Sequence, residues 1–501
     1  VTNHTLIIGA GIGGLVLAAR LAKAGLDVTV LEAHVYAGGC AGTFFHQGYR
    51  FDAGATLAGG FYPGGPMDLI AGATGISEWP VIPTKAAMAV HLPAQAPILR
   101  WADERRHAER DAAFGPQSRR FWDWQEARAD ALWDLALRLP DWPPQDLDQA
   151  TRLARTGLGW LASPDRLRQL PGLLRDATQP LAARLRGQSD ALRLFLDGQL
   201  LISAQTTSAA SQALFSAAAL DLPRRGTVHV VGGMGALADS LVSAIRSHGG
   251  EVHFRQRVER IERQGSGYIL HTHRRERFEA NQLVANLPAW NLGRLFGAAP
   301  PKALQNLPKV AGSGRGAFTL YLGLNEEHLP IGPALHHQVI AGQPLGEGRS
   351  VFISLNSPDD IGRAPKGQRT ITISTHTELG RWWSLSETDY HSQKTRYSER
   401  LLGLAERVLP GLSSANLQLA GTPRTFQQFT GREQGWVGGF PQVSLHPPQR
   451  PRLEPNLWLV GDSIFPGQST AAVGLGGLRV ANAILRGYRS RAGRVWAAAR
   501  G

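Results

Sequence analysis

Three glycines near the start of the chain are the first sign of chemistry. Gly9, Gly11 and Gly14 stand in Gly9-x-Gly11-x-x-Gly14, between an apolar run over residues 4–8 and a helical pattern over residues 15–24. Gly9 permits a tight turn, Gly11 leaves the backbone open to a pyrophosphate, and Gly14 lets the helix pack close on the strand. The helix N-terminus then offers unpaired N–H groups and a partial positive charge to phosphate oxygens. Glu32 ends a second apolar run, residues 27–32, and stands 18 residues after Gly14. Its carboxylate suits the hydroxyls of an adenosine ribose. Triplet, flanking elements and acid together predict a dinucleotide site; the triplet alone would fit a tight turn in any α/β unit.

NAD and FAD sites share that fingerprint, so more distant residues must decide. Gly38 and Gly39 follow closely on Glu32, and Gly42 and the segment Gly48–Gly54 come soon after. A second glycine cluster so near predicts backbone wrapped round a long cofactor. Far downstream, residues 457–460 read as an apolar strand ending in Gly461 and Asp462, and Val473 and Gly474 precede a helical pattern over about 476–488. Gly461 allows close approach. Asp462 has two readings, an acceptor for ribityl hydroxyls or the N-cap of the helix that follows.

The elements that must position these residues follow from periodicity. Residues 4–32 form a β-α-β unit. A second α/β stretch begins near Thr227, with a strand, Gly232-Gly233, a helix over 236–247, a strand over 251–254 and another from Val258. Residues 116–219 are mostly helical in pattern. Strands are predicted within 85–101 and at 317–324, 351–355 and 370–375, and a long helix at 387–408. Ile371 and Ile373 alternate with threonines, as a half-buried sheet requires. A chain of 501 residues, 43% hydrophobic and 19% charged, has ample core for two domains. One is expected from 1–80, 220–290 and 450–501, the other from 81–219 and 291–449.

These segments resemble the carotenoid desaturase and isomerase family of FAD enzymes, the phytoene desaturase type. The likeness spans nearly the whole chain and is strongest at both ends. Residues 6–60 are similar to the family's fingerprint, double glycine and Gly-Tyr-x-Phe-Asp pattern. Residues 231–237 are similar to its Gly-Gly-Met segment, which leads to a residue packed by the adenine, here Val258. Residues 461–468, Gly-Asp-Ser-Ile-Phe-Pro-Gly-Gln, resemble the C-terminal signature in the form of the isomerase and 3,4-desaturase branches. Residues 473–478 resemble the turn and helix start beneath the flavin.

The resemblance implies an α/β fold, in which a Rossmann-type FAD-binding domain of the glutathione-reductase kind is interleaved with an α+β substrate domain. It implies FAD held by Gly9, Gly11, Gly14, Glu32, Gly38, Gly39, Val258, Gly461, Asp462, Val473 and Gly474. It implies a carotenoid in an apolar tunnel, and desaturation of an acyclic or monocyclic carotenoid at a 3,4-type bond. Cis–trans isomerisation is the second reading and amine oxidation the third; a flavin amine oxidase commonly has a lysine near the flavin, and residues 309–325 offer only Lys309. No catalytic residue is assigned. His336, His337, Glu378 and Glu433 are candidates only in that they titrate. Many relatives carry Arg or a small residue after the double glycine. This chain has Cys40 there, expected to be a small packed residue, and a phosphate or flavin contact is expected to be missing.

Lys and Arg number 53 against 40 Asp and Glu, an excess of 13. Either the surface is a solvated, arginine-rich one or it meets an anionic partner. No nucleic-acid motif accompanies the charge, so nucleic acid is disfavoured. A single cysteine offers no internal disulfide and no zinc framework, and suits a reducing compartment. The first apolar segment lacks a basic lead and is broken by glycines, so no secretory signal is read, and no window is apolar enough to span a bilayer. A cytoplasmic protein, peripheral to the inner face of the membrane, is expected. Residues 150–195 carry eight arginines and three aspartates, interleaved with Trp160, Leu161, Leu167, Leu170, Leu173 and Leu174. That composition suits either an interfacial helix pair or a helical cap with a leucine core. Phe121, Trp122, Trp124 and Trp133 either line the same entrance or pack in the core.

Overall fold

The computed structural model describes residues 4–498 except 308, 311–313 and 330–331, with side chains to residue 488. Strand β1 (Thr5–Ile8), helix α1 (Ile12–Lys23) and strand β2 (Val28–Leu31) build the first β-α-β unit. Every residue of both strands is buried. Strands covered on both faces need unbroken apolar runs rather than alternation. They sit in a six-stranded sheet whose order is Glu251–His253, β2, β1, Gln282–Ala285, Leu457–Leu459, Arg452–Glu454. Its first five strands run parallel and the last antiparallel. Three distant stretches of chain therefore meet side by side.

Helix α1 packs between the helix Gly235–Ser247 and the long helix Thr470–Ala498. Glycine lets α1 and the last helix touch backbone to backbone: a Cβ on Gly477 would lie 2.3 Å from the Gly13 carbonyl oxygen. The last helix starts at Thr470, six residues ahead of the periodicity-based start at 476. Glycines at 474, 476 and 477 weaken its first turns as a sequence signal. The Ala472 N–H donates to Ser469 Oγ at 3.2 Å and caps that start.

A three-stranded antiparallel sheet, Val258–Gln264, Gly267–Thr272 and Arg277–Ala280, is inserted between two strands of the parallel sheet. A seven-stranded sheet lies apart from both, in the order Leu417–Gly421, Gly316–Asn325, Gln368–Thr377, Ser350–Leu355, His336–Ile340, Ala86–His91, Ile98–Trp101. Ile371 and Ile373 point into a core shared with Leu401 and Leu404 of the helix Glu387–Ala405. The opposite face of their strand is not solvated. Thr370 and Thr372 are buried, and Ser374 and His376 face a cavity. Period-two alternation holds, but the polar face looks inward.

The Gly-Tyr-x-Phe-Asp segment is a hairpin, Thr43–His46 with Tyr49–Asp52, and its acid is a structural hub. Asp52 accepts from Thr43 Oγ1 (2.7 Å), the Met234 N–H (2.8 Å) and Arg363 Nη2 (3.0 Å). Gly233 fits only because it has no side chain; a Cβ there would stand 2.5 Å from Thr43 Oγ1 and 2.6 Å from Asp52 Oδ1. The Gly-Gly-Met segment thus anchors the helix Gly235–Ser247 to the hairpin.

Candidate functional site

One cavity of about 2110 Å³ opens where β1, α1 and β2 meet the segments after Gln282–Ala285 and Leu457–Leu459. That is about twice the upper range of a drug-sized ligand site, so it has room for two long ligands. Gly9, Gly11, Glu32, Gly38, Gly39, Val258, Gly461, Asp462 and Val473 all line it. The fold thus gathers residues from three stretches of chain into one wall.

The glycines form a backbone cradle. Gly9, Gly38, Gly39 and Gly461 have φ of +94°, +111°, +57° and +101°, conformations that side chains rarely adopt. The Gly38 N–H donates to the Ala10 carbonyl at 2.8 Å, which lays the second glycine cluster against the first. Ile12 and Gly13 open α1 onto the cavity, and the helix has no side-chain cap. Leu15 is the first residue whose N–H finds an intrahelical partner, the Gly11 carbonyl at 3.0 Å. The first turn therefore offers free N–H groups to an anion.

Gly14 and Gly474 stand one layer behind this wall. A Cβ on Gly14 would fall 2.7 Å from the Gly9 carbonyl oxygen and 2.9 Å from Asn286 Cβ. A Cβ on Gly474 would fall 2.5 Å from Ile70 Cδ1. Gly14 lets the Gly9 backbone close up, and Gly474 leaves room for the Ile70 side chain. Asn286 was not found from sequence. It follows the strand Gln282–Ala285, lines the cavity and donates from Nδ2 to the Gly9 carbonyl at 3.2 Å. A lone Asn after an apolar strand carries no signal without that topology.

Glu32 is fixed from both sides. Oε2 accepts the Ala10 N–H at 2.7 Å and Oε1 the His34 N–H at 2.8 Å, leaving further lone pairs toward the cavity. Burial pushes its carboxyl upward, while the backbone N–H groups of His34, Ala10 and Ala33 pull it back.

Asp462 is not a helix N-cap, since the next helix begins at Thr470. Its Oδ2 accepts Arg432 Nη2 at 2.7 Å. Arg432 also donates from Nε to the Trp436 carbonyl at 2.6 Å and lies over the Trp436 ring at 4.7 Å. It lines the cavity close to Cys40, whose thiol burial raises and Arg432 lowers. A guanidinium therefore stands near Cys40 after all, delivered by a loop far along the chain. A buried thiol with a raised pKa is poorly nucleophilic.

The four titratable candidates are outside this wall. Burial holds the His336 imidazole down at about 3, and its Nδ1 sits 2.9 Å from Ser354 Oγ. Burial holds His337 down at about 4, and its ring nitrogen is 3.1 Å from that of His91. Glu378 is exposed and pairs with Arg381 at 3.0 Å; Glu433 pairs with Arg294. The histidine that does line the cavity is His376, lowered to about 4 by burial and then by Arg315, and 3.3 Å from Gln205. Of the aromatic cluster only Trp133 reaches the cavity. Phe121 and Trp122 pack with Phe114 and Phe195, and Trp124 donates to Asp176 Oδ2 at 2.9 Å. Trp133, Leu132, Ala136, Leu201, Phe215 and Leu222 make a largely apolar limb beyond the glycine cradle.

Residues 12–485 match the family model for flavin-containing amine oxidoreductases. The chain belongs to this family. It is a flavin-dependent oxidoreductase, and the backbone cradle, the open helix end and Glu32 fit the nucleotide part of a flavin cofactor. Two curated members are similar over most of their length. A chloroplastic prolycopene isomerase of Daucus carota is 26% identical, covering 96% of this chain and 79% of that protein. A lycopene-forming phytoene desaturase of Pantoea ananas is 25% identical, covering 94% and 96%. These likenesses place the flavoenzyme in the carotenoid desaturase and isomerase type. The fold agrees with the solved structure of an oxidoreductase from Methanosarcina mazei, with a TM-score of 0.61, 17% identity, and coverage of 95% and 99%.

Proposed function

We propose that the protein binds FAD noncovalently and desaturates a carotenoid, at a 3,4-type bond of an acyclic or monocyclic substrate. The observation that carries this reading is the continuity of one cavity from the glycine cradle into an apolar limb. The cofactor residues are Gly9, Gly11, Glu32, Gly38, Gly39, Val258, Gly461, Asp462 and Val473 in the wall, with Gly14 and Gly474 supporting them. Bound flavin supplies a two-electron acceptor for hydrogens removed beside a conjugated system. The chain's own part is orientation and exclusion of water: Trp133, Phe215 and Leu222 hold an apolar chain, and Arg432 fixes Asp462. His376 stays neutral at ordinary pH and is a hydrogen-bonding wall group rather than a cation.

Isomerisation of a carotenoid is the second reading, favoured by the long match to the carrot prolycopene isomerase. Amine oxidation is weaker, because Lys309 is not among the cavity-lining residues. We place the domain division at 1–80, 220–290 and 450–501 against 81–219 and 291–449.

Delivery of a hydrocarbon from a membrane suits the helices Leu147–Leu161 and Pro164–Asp176. Among the described residues no helix is long and apolar enough to cross a membrane. Leu147, Leu158, Leu167 and Leu174 are nonetheless exposed, by 87%, 70%, 54% and 62%, alongside exposed Arg155, Arg168 and Arg175. Leucines that the core does not cover, beside exposed cations, fit an interfacial face on the inner leaflet. The function is tested by expression in cells that accumulate defined carotenoids. Loss of two hydrogens supports desaturation, an altered isomer of unchanged mass supports isomerisation, and unchanged pigment opposes both.

A further inference from the structure

The apolar limb holds one group that a pure hydrocarbon does not explain. Arg100, on the edge strand Ile98–Trp101, lines the cavity with Gln199, Gln338 and Met88. Among the described residues no carboxylate lies within ion-pair distance of it, although Asp221 is near enough to favour its charge, whereas Arg110, Arg224 and Arg225 of the neighbouring cluster each have a paired carboxylate. Arg100 donates through Nη1 to Gln199 Oε1 and through Nη2 to the Leu220 carbonyl at 2.8 Å, and lies 5.6 Å from the Phe195 ring centre. Burial lowers its guanidinium to about 9, so it remains charged at neutral pH. A buried charge facing an apolar cavity is costly unless something completes its hydrogen bonds.

The remaining valences of Arg100 are all of one kind. A guanidinium carries five N–H donors and no acceptor. The two contacts above use two of them. Gln199 spends its oxygen on Arg100 and its amide on Gln338 Oε1 and Met88 Sδ (3.3 Å). Gln338 spends its amide on the Gly198 carbonyl at 2.8 Å. The glutamines orient Arg100, and what the guanidinium has left is donors. The complement is an acceptor oxygen.

The cluster is also set away from the cofactor wall. A Cβ on Gly438 would stand 2.3 Å from Gln205 Nε2, and one on Gly439 would stand 3.3 Å from Asp462 Cβ, so Gln205 marks the Asp462 end. Gln199 lies six residues earlier, on the helix Asp190–Ala204. At the rise of an α-helix that is about 9 Å further along. Leu201, Phe215 and Leu222 line the limb with them.

We infer that this limb selects a polyene carrying an acceptor oxygen, a hydroxyl, keto, aldehyde or carboxylate group, on the part of the chain that reaches Arg100. This rests on the reading of the cavity as a carotenoid site and names the substrate class within it. Arg100 is a specificity residue, with Gln199 and Gln338 as its positioning residues.

The test uses flavin-loaded protein and two acyclic polyenes of equal length, one a hydrocarbon and one with a terminal carbonyl. The wild type should favour the carbonyl polyene in kcat/KM by about ten- to hundredfold, the worth of a hydrogen bond to a charged group. Arg100→Met should remove that preference, bringing the kcat/KM ratio of the two polyenes close to one, with flavin content read in parallel. Arg100→Lys, which keeps charge but loses the fork, should fall between. Equal handling of both polyenes by the wild type overturns the inference, as does a preference that survives in Arg100→Met. If Arg100→Met does not retain flavin, the wild-type preference and Arg100→Lys decide. A wild type that binds and converts neither polyene overturns the carotenoid reading itself, and this inference with it.

Discussion

Replacing Glu32 by alanine tests the cofactor end most sharply. Its two carboxylate oxygens are positioned by the Ala10 and His34 N–H groups at 2.7 and 2.8 Å, so the lone pairs that remain face the cavity in a fixed direction. A hydrogen bond from a ribose hydroxyl to such a carboxylate contributes roughly 1.5–3 kcal/mol. Its loss should weaken FAD binding by about one to two decades. The protein itself should lose less, about 1–2 kcal/mol, because the two freed N–H groups border a cavity that water can enter. Glu32→Gln keeps one acceptor oxygen and should fall between. Affinity is read by equilibrium dialysis against FAD, and folding by a parallel urea melt. Burial raises the Glu32 carboxyl, so wild-type affinity should also fall as pH drops toward that raised pKa. Unchanged affinity in a folded Glu32→Ala protein would refute the ribose assignment, and a protein that took up NAD but no flavin would refute the cofactor.

Gly14→Ala should destabilise the fold by about 1–3 kcal/mol, because its Cβ would meet the Gly9 carbonyl at 2.7 Å; a lower urea midpoint checks it. His336, His337 and His376 are held at about 3, 4 and 4 by burial, against an unfolded value near 6.5. Between pH ~6.5 and ~4 the unfolded chain binds protons that the folded one does not, so stability should fall as pH drops, by at most ~1.4 kcal/mol per unit for each histidine. Melts that are flat across that window would contradict the burial of all three. Changing Arg155, Arg168 and Arg175 to glutamine should weaken binding to anionic vesicles by up to ~1 kcal/mol per residue without loss of flavin. Arg166 should contribute nothing to that binding, being mostly buried, 3.6 Å from Asp134 and over the Trp160 ring. Vesicle binding equal to the parent's would make the two helices a plain cap.

What could be read from sequence was what local pattern encodes. The parallel strands announce themselves as apolar runs, and Gly9, Gly38 and Gly461 because only glycine accepts their backbone angles. What could not be read depends on long-range apposition. Asn286, Arg432 and His376 reach the cavity from segments with no motif of their own. His376 was hidden by an alternation whose polar face meets a cavity rather than water. Arg432 brings a cation near Cys40 from a loop nearly four hundred residues away. Arg100 carries no signal at all until Gln199 and Gln338 are placed beside it.

Delivery of two hydrogens from a carotenoid to this flavoprotein is the step to measure directly. Oxidised, flavin-loaded protein is mixed with an acyclic carotenoid in the absence of oxygen, and flavin absorbance and product mass are followed together. Desaturation should bleach the flavin in step with the appearance of a product lighter by two hydrogens. A flavin that stays oxidised while the mass of the carotenoid is unchanged would contradict desaturation.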